Sequence, residues 1–273
     1  MNSPDAKPVL VSIVTVCLNA EKHVRSAIES VLAQTYADIE YLVVDGGSTD
    51  ATLDIVRELE PRFAGRMRWV SESDVGLYDA MNKGVGLAAG DLIGIVNADD
   101  LLTPEAVATV VATWQAQPEA GVVFGGTCTI DEVGDVVLDM PAPAEVTPEA
   151  MGEGMVFCHQ SMFVTAETYR TLGTYDTSFR ILADYEFVMR CLRGGVVFAL
   201  ADARLSRFRL GGVSGSSTRQ LDRERTRIRI RYGANPVVQW AIYARHALAS
   251  AVYDSLKWNT AFTKAYERRS ARK

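Results

Sequence analysis

Short runs of β-branched and aliphatic residues alternate with amphipathic stretches along the first half of this chain. Val9–Leu18, Tyr41–Val44, Arg68–Ser71, Leu92–Val96 and Val122–Phe124 read as strands. Between them Glu21–Gln34, Thr49–Leu59, Leu77–Ala89 and Glu105–Gln117 read as helices. The first helix gathers Val24, Ala27, Ile28, Val31 and Leu32 on one face, the second Leu53, Val56 and Leu59. A helix between two strands serves as the crossover that parallel pairing needs. The alternation therefore predicts an α/β fold with a doubly wound, mainly parallel sheet. The pattern breaks at Met140–Pro148, where three prolines fall within nine residues. Beyond it, Ser161–Val164 and Val196–Leu200 read as strands, and Tyr185–Arg193 as a helix ended by Gly194-Gly195. Leu210–Ser217, rich in glycine and serine, reads as a loop. From Leu221 onward the chain reads as helical, and Pro236–Trp258 carries Trp240, Ile242, Tyr243, Leu248, Val252 and Trp258.

In a parallel sheet the C-terminal strand ends share one edge, which is where ligands sit. Three predicted strands end there in polar residues: Asn19, then Asp45-Gly46-Gly47-Ser48-Thr49-Asp50, then Asn97-Ala98-Asp99-Asp100. Asp45 is the type of acceptor that holds a ribose hydroxyl or a base N–H. The glycines after it allow close approach of the backbone. Ser48 or Thr49 is expected to cap the next helix, whose N-terminus attracts anions. Asp99 and Asp100 repel each other unless a cation lies between them, and a hard divalent ion such as Mn2+ or Mg2+ would share its remaining positions with phosphates. The plainer reading of this pair is an acidic turn before a helix that starts at Thr103-Pro104-Glu105. No glycine-rich phosphate loop follows the first strand, where Cys17-Leu18-Asn19-Ala20-Glu21 stands instead. Phosphates would then be handled through a metal.

The net charge of −6 conceals an asymmetry. Residues 1–218 hold 15 Lys and Arg against 30 Asp and Glu, whereas residues 219–273 hold 13 against 4. The acidic body argues against nucleic acid as a partner. The basic amphipathic tail, 219–273, fits a peripheral membrane contact, a homodimer interface or a helix folded back on the body. Cys17, Cys128, Cys158 and Cys191 form no paired motif and read as free thiols. Met1–Asp5 lacks the order of a signal peptide, and no apolar run is long enough to span a bilayer. These features predict a cytoplasmic protein, with the inner membrane face open as a docking surface.

Five blocks in order resemble the family 2 glycosyltransferases. They are Val11–Val16, Ala27–Tyr36, Val43–Asp50, Ser73–Gly84 (Ser-Asp-Val-Gly-Leu-Tyr-Asp-Ala-Met-Asn-Lys-Gly) and Asn97–Asp100. The resemblance covers about residues 9–215. It implies a GT-A fold, a nucleotide-sugar donor, a hydroxyl acceptor that is lipid-linked in one reading, a divalent cation and inversion at the anomeric carbon. It implies a domain of residues 1–218, with a nucleotide-binding half to about 128 and an acceptor half from about 129. Asn19, Asp45, Asp74 and Lys83 would surround the nucleoside. Asn97-Ala98-Asp99 stands at the family's D-x-D position with Asn97 in place of the first acid. Asp99 would be the chief metal ligand, and Asp100 would support it or bind the ribose. The family's base falls on Asp184, with Ala183 in place of the preceding Glu, and Glu186 is the competing candidate. His159 and Gln160 resemble a His-Gln pair near the acceptor. Arg207 and the loop containing Gly212 and Ser214 would fold over the diphosphate. Plainer readings make Asp184 a helix cap and His159 a core histidine. Asn97 and Ala183 also leave open a sugar-nucleotide-binding protein without turnover. A nucleotidyltransferase would need the glycine-rich basic loop that this chain lacks.

Overall fold

The computed structural model describes residues 8–209 and 218–248, which fall in two compact units on either side of residue 215. In the first unit, β1 (Val11–Cys17), β2 (Ile39–Asp45), β3 (Met67–Ser71) and β4 (Leu92–Ile95) are mutually parallel in the order β3-β2-β1-β4. The predicted crossovers are α1 (Val24–Leu32), α2 (Thr52–Leu59) and α3 (Leu77–Leu87). Val24, Ile28, Val56 and Leu59 bury against Val11, Ile13, Tyr41 and Val43 on one face. Helix α3 covers the other face, over β1 and β2. Burial on both faces is why β1, β2 and β4 are nearly continuous apolar runs.

The second half of the sheet departs from simple alternation. The short β5 (Leu101–Leu102) and α4 (Ala106–Ala116) lead to β6, which runs over Ala120–Ile130 rather than three residues. The edge hairpin strand β7 (Val136–Met140) pairs with β6. Strand β8 (Met162–Thr165) inserts antiparallel between β4 and β6. After α5 (Ala166–Leu172) and α6 (Ala183–Arg193), β9 extends over Val197–Arg209 and runs parallel to β6. The sequence pattern ends β9 at Leu200, because Asp202, Arg204 and Arg207 interrupt the apolar run. Those side chains are exposed or half-buried, while Ala201, Leu205 and Arg209 are buried.

In the second unit, α7 (Thr218–Arg231) and a helix over residues 236–248 fulfil the helical expectation as far as residue 248. Pro236 occupies the first helical position, which suits its fixed φ and missing N–H. The remainder of the expected Pro236–Trp258 helix lies outside the described residues. Among the described residues no helix is long and apolar enough to cross a membrane. All four cysteines are free thiols.

Two glycines of α3 yield opposite expectations. A Cβ at Gly84 would overlap Val14 of β1, whereas Gly86 is exposed with no atom within 4 Å of a new Cβ. Gly86→Ala is expected to raise stability by about 0.5–1 kcal/mol through helix propensity. Gly84→Ala is expected to lower it by about 1–3 kcal/mol through overpacking. Urea unfolding midpoints of the two variants check this.

Candidate active site

The ends of β1 and β2 are knitted together by side chains rather than left open. Asp45 is buried, and its carboxylate accepts from the Ser48 hydroxyl, the Ser71 hydroxyl (2.7 Å) and the backbone amides of Gly47 (3.1 Å) and Ser48 (2.9 Å). Burial alone would raise its pKa, but these donors outweigh burial and hold it below the usual carboxylate range. Asn19 adopts a left-handed backbone at φ +50°. Its side-chain oxygen accepts from the Thr49 amide at 2.9 Å, and its own amide donates to Ser48 Oγ at 2.7 Å. Ser48 and Thr49 therefore do not cap α2, contrary to expectation. The N-cap residue is Ala51, without a side-chain bond, and Asp50 accepts from Thr52 instead. Asp74 crosses over Gly46 so closely that a Cβ there would overlap its carboxylate. Lys83 reaches back from α3 to the Ser73 carbonyl (3.0 Å) and to Glu72 and Asp79, pinning the loop that carries Asp74.

The Asn97–Asp100 turn after β4 is organised around Asp100. This carboxylate is fully buried and accepts from the Arg209 amide (3.0 Å), from Asn97 Nδ2 (3.3 Å) and from the Gln160 side chain. Burial, followed by the neighbouring Asp99 charge, pushes its pKa up to about 7 against the pull of those donors. The Arg209 guanidinium donates to the backbone carbonyls of Asp99 (3.3 Å), Asp131 (2.7 Å) and Glu132 (2.9 Å). One arginine thus ties the acidic turn to the β6–β7 hairpin.

Two adjoining cavities open over these strand ends. The larger, about 450 Å3, is lined by Asn19, His23, Asp74, Gly76, Ala98 and Asp99 among others. The smaller, about 210 Å3, is lined by Tyr78, Met81, Met155, Phe157, His159 and Asp184 among others. Leu77, Asn97, Gln160 and Phe208 line both, so the two form one cleft. Asp184 Oδ1 accepts from the Tyr78 hydroxyl (2.9 Å) and from the Tyr185 amide (2.8 Å). Asp184 is the second residue of α6, not its cap, since the N-cap position is Leu182. His159 is buried with Nε2 2.8 Å from the Tyr175 hydroxyl, and burial holds its pKa below the usual value although Asp184 pulls the other way. Burial thus favours the neutral imidazole, which faces the smaller cavity.

Several expected site residues stand elsewhere. Glu186 is buried in an ion pair with Arg190 (2.7 Å) and lines neither cavity, so Asp184 is the acid facing the cleft. Arg207 is exposed on β9, and the cleft wall takes its neighbour Phe208. Asp100 faces inward with both oxygens engaged and lines neither cavity. Asp45 and Lys83 line neither cavity. Gly212 and Ser214 lie outside the described residues. Sequence reasoning missed Tyr78, Phe208 and Arg209. Tyr78 stands within Ser73–Gly84, one helical turn before Asn82, and its partner on α6 leaves no local signal in the sequence.

The residues present fit a cation shared with a substrate. Among the described residues no group of three or more His, Cys, Asp or Glu is placed to hold a metal by itself. Asp99 lines the larger cavity, and Asn97 Oδ1 is buried without a hydrogen-bond partner. A carboxylate and an orphaned amide oxygen form a hard-oxygen pair suited to Mg2+ or Mn2+ that keeps waters and takes phosphate oxygens.

A family model described as Glycosyl transferase family 2 matches residues 12–169. A PGL/p-HBAD biosynthesis glycosyltransferase of Mycobacterium bovis (strain BCG / Pasteur 1173P2) is 32% identical over 184 residues, covering 66% of this chain and 68% of that protein. The fold is similar to S. aureus TarS residues 1–349 in complex with UDP, with a TM-score of 0.64, 16% identity and coverage of 86% of this chain and 70% of that one. This chain covers 41% of the longer TarS chain. It is also similar to the mannosyltransferase PcManGT of Pyrobaculum calidifontis in complex with GDP-Man and Mn2+, with a TM-score of 0.63, 20% identity and coverage of 88% and 70%. At these identities the two structures establish a shared fold.

The Arg209 node generates a paired prediction. Arg209→Met removes the donor to the Asp99 and Glu132 carbonyls and one of two donors to Asp131, and is expected to cost about 2–4 kcal/mol. Arg207→Ala, on the exposed side of the same strand, is expected to change stability by less than about 0.5 kcal/mol. Equilibrium unfolding in urea separates the two.

Proposed function

The chain belongs to glycosyl transferase family 2, and from that premise we propose that it moves a sugar from a nucleotide-sugar donor to an acceptor hydroxyl with inversion. One observation carries this reading: Asp99 and Asp184 lie in two cavities that share the walls Leu77, Asn97, Gln160 and Phe208. The larger cavity suits the donor, with Asn19 and Asp74 at its nucleoside end. The smaller suits the acceptor, whose hydroxyl would face Asp184. In the displacement, the acceptor oxygen forms a bond to the anomeric carbon while the bond from that carbon to the diphosphate breaks. Asp184 takes the hydroxyl proton, and the nucleoside diphosphate departs. Asp99 and Asn97 would hold the divalent cation, which when bound offsets the charge of the departing diphosphate. The neutral, buried His159 and the Gln160 amide shape the junction without adding charge.

Leu77, Met81, Met155, Phe157, Ile181 and Phe208 give the smaller cavity a continuous share of apolar wall. This supports an acceptor hydroxyl carried on an apolar body, in line with the lipid-linked reading. UDP bound to TarS and GDP-Man bound to PcManGT support a nucleoside diphosphate in the larger cavity and leave the base open. Exposed Val237, Trp240 and Leu248 in the basic second unit support a peripheral membrane contact or a second copy as its partner. Vesicle flotation of the full chain against a form ending at residue 215 distinguishes these. The reading as a binding protein without turnover is not favoured, because Asp184 remains at the cleft although Ala183 precedes it.

Thermal-shift titration with UDP-, GDP- and dTDP-sugars, with and without Mn2+, identifies the donor. Asp99→Ala is then expected to abolish the Mn2+-dependent part of the stabilisation. Asp184→Asn is expected to keep the donor shift while lowering kcat by about 100-fold or more. Equal loss of donor binding in both variants would overturn the division of roles.

A further inference from the structure

We infer that Tyr78 is a positioning residue that holds Asp184 in both of its protonation states. The inference rests on the sugar-transfer reading, in which Asp184 begins ionised and ends protonated. Its basis is a count of hydrogens. The Tyr78 hydroxyl lies 2.8 Å from the Ile181 carbonyl and 2.9 Å from Asp184 Oδ1. Both are within bonding reach, yet a phenol has one hydrogen to give. While Asp184 is ionised, the charge-assisted bond to the carboxylate is the stronger, and the hydrogen belongs there. When the acceptor hydroxyl surrenders its proton to the Asp184 carboxylate, the carboxyl becomes a donor. Oδ1 already accepts from Tyr78 and from the Tyr185 amide, so that proton settles on Oδ2, and the Tyr78 hydrogen, less strongly drawn to a neutral Oδ1, is shared with the Ile181 carbonyl. The O–H torsion changes and no heavy atom moves. The proton count balances, since the acceptor loses one proton and Asp184 gains it, while Tyr78 only redirects its own.

The surroundings hold the phenol in place for this exchange. Tyr78 is buried, and its ring centroid lies 5.6 Å from that of Tyr175. One turn along α3, Asn82 clasps the Tyr175 main chain from both sides: Nδ2 donates to its carbonyl and Oδ1 accepts from its amide, each at 2.9 Å. The Tyr175 hydroxyl is itself engaged by His159 and Tyr169. The titratable and charged groups facing Asp184 are His159 and Cys158 from the segment before β8, Tyr175 from the loop after α5, Arg180 from the segment before α6, and Tyr78 itself from α3. Of these, Tyr78 donates a hydrogen bond to the Asp184 carboxylate at 2.9 Å.

Tyr78→Phe keeps the ring and removes the hydroxyl. Loss of a donor to the ionised carboxylate disfavours the charged form, so the acid limb of the kcat/KM profile is expected to move upward by about one pH unit. At neutral pH, kcat is expected to fall about 10- to 100-fold with donor KM within about twofold. The Tyr78→Phe/Asp184→Asn double variant is expected to be no slower than Asp184→Asn alone. A second measurement covers misfolding of the phenylalanine variant. Fluorotyrosine at position 78 is a more acidic donor, and it is expected to move the acid limb downward. An acid limb that stays in place in both variants, or losses that multiply in the double variant, would overturn the role of Tyr78 while leaving the transfer reading intact. Wild-type turnover in Asp184→Asn would instead remove the reading on which this inference rests.

Discussion

The buried carboxylate of Asp100 is the constraint around which the cleft is organised. An ionisable group without exposure is tolerated only where donors converge on it. Here they come from three separate parts of the chain: the Arg209 amide at the end of β9, Asn97 in the same turn, and Gln160 before β8. Meeting that demand brings residues 97, 160 and 209 together. It also places Asn97, Gln160 and Phe208, which wall both cavities. The Arg209 guanidinium extends the same junction to Asp131 and Glu132. Asp100, expected to support a cation beside Asp99 or to bind the ribose, is therefore the acid that builds the wall. Asp99, by contrast, lines the larger cavity.

Helix α3 is the strut between the two ends of the cleft. Its glycine at position 84 lets it sit close on Val14 of β1. Lys83 anchors the loop bearing Asp74, Tyr78 reaches Asp184, and Asn82 clasps Tyr175. A displacement of α3 would move the Asp74 loop and Asp184 together. This coupling is a reason for the density of polar and small residues in an element whose inner face also packs on a sheet.

The parallel core was legible because its signal is local. Strands β1, β2 and β4 are buried on both faces, so each reads as an apolar run, and their polar ends announce the edge where they stop. The antiparallel insertion of β8 between β4 and β6 was not legible, since pairing partners separated by about seventy residues leave no periodic mark in either strand. The extension of β9 to Arg209 was hidden for a related reason. Its charged residues look like a loop until β6 and β5 are seen to flank it. The choice between Asp184 and Glu186 turned on Arg190, which is four residues beyond Glu186 on α6 and whose guanidinium also donates to the Leu172 and Thr174 carbonyls. That half-buried anchor holds the buried Glu186 away from the cleft.

By itself the sequence determined the alternation of strands and helices, the shared edge of the polar strand ends and the types of side chain available there, because hydrophobic period and turn chemistry act over a few neighbouring residues. Only the tertiary structure decided which of those side chains face the cleft and which are consumed in holding it. That division between Asp99 and Asp100, Asp184 and Glu186, and Arg207 and Arg209 depends on which buried groups find donors or acceptors from distant segments, and hydrogen-bond satisfaction across the fold is not written in local spacing.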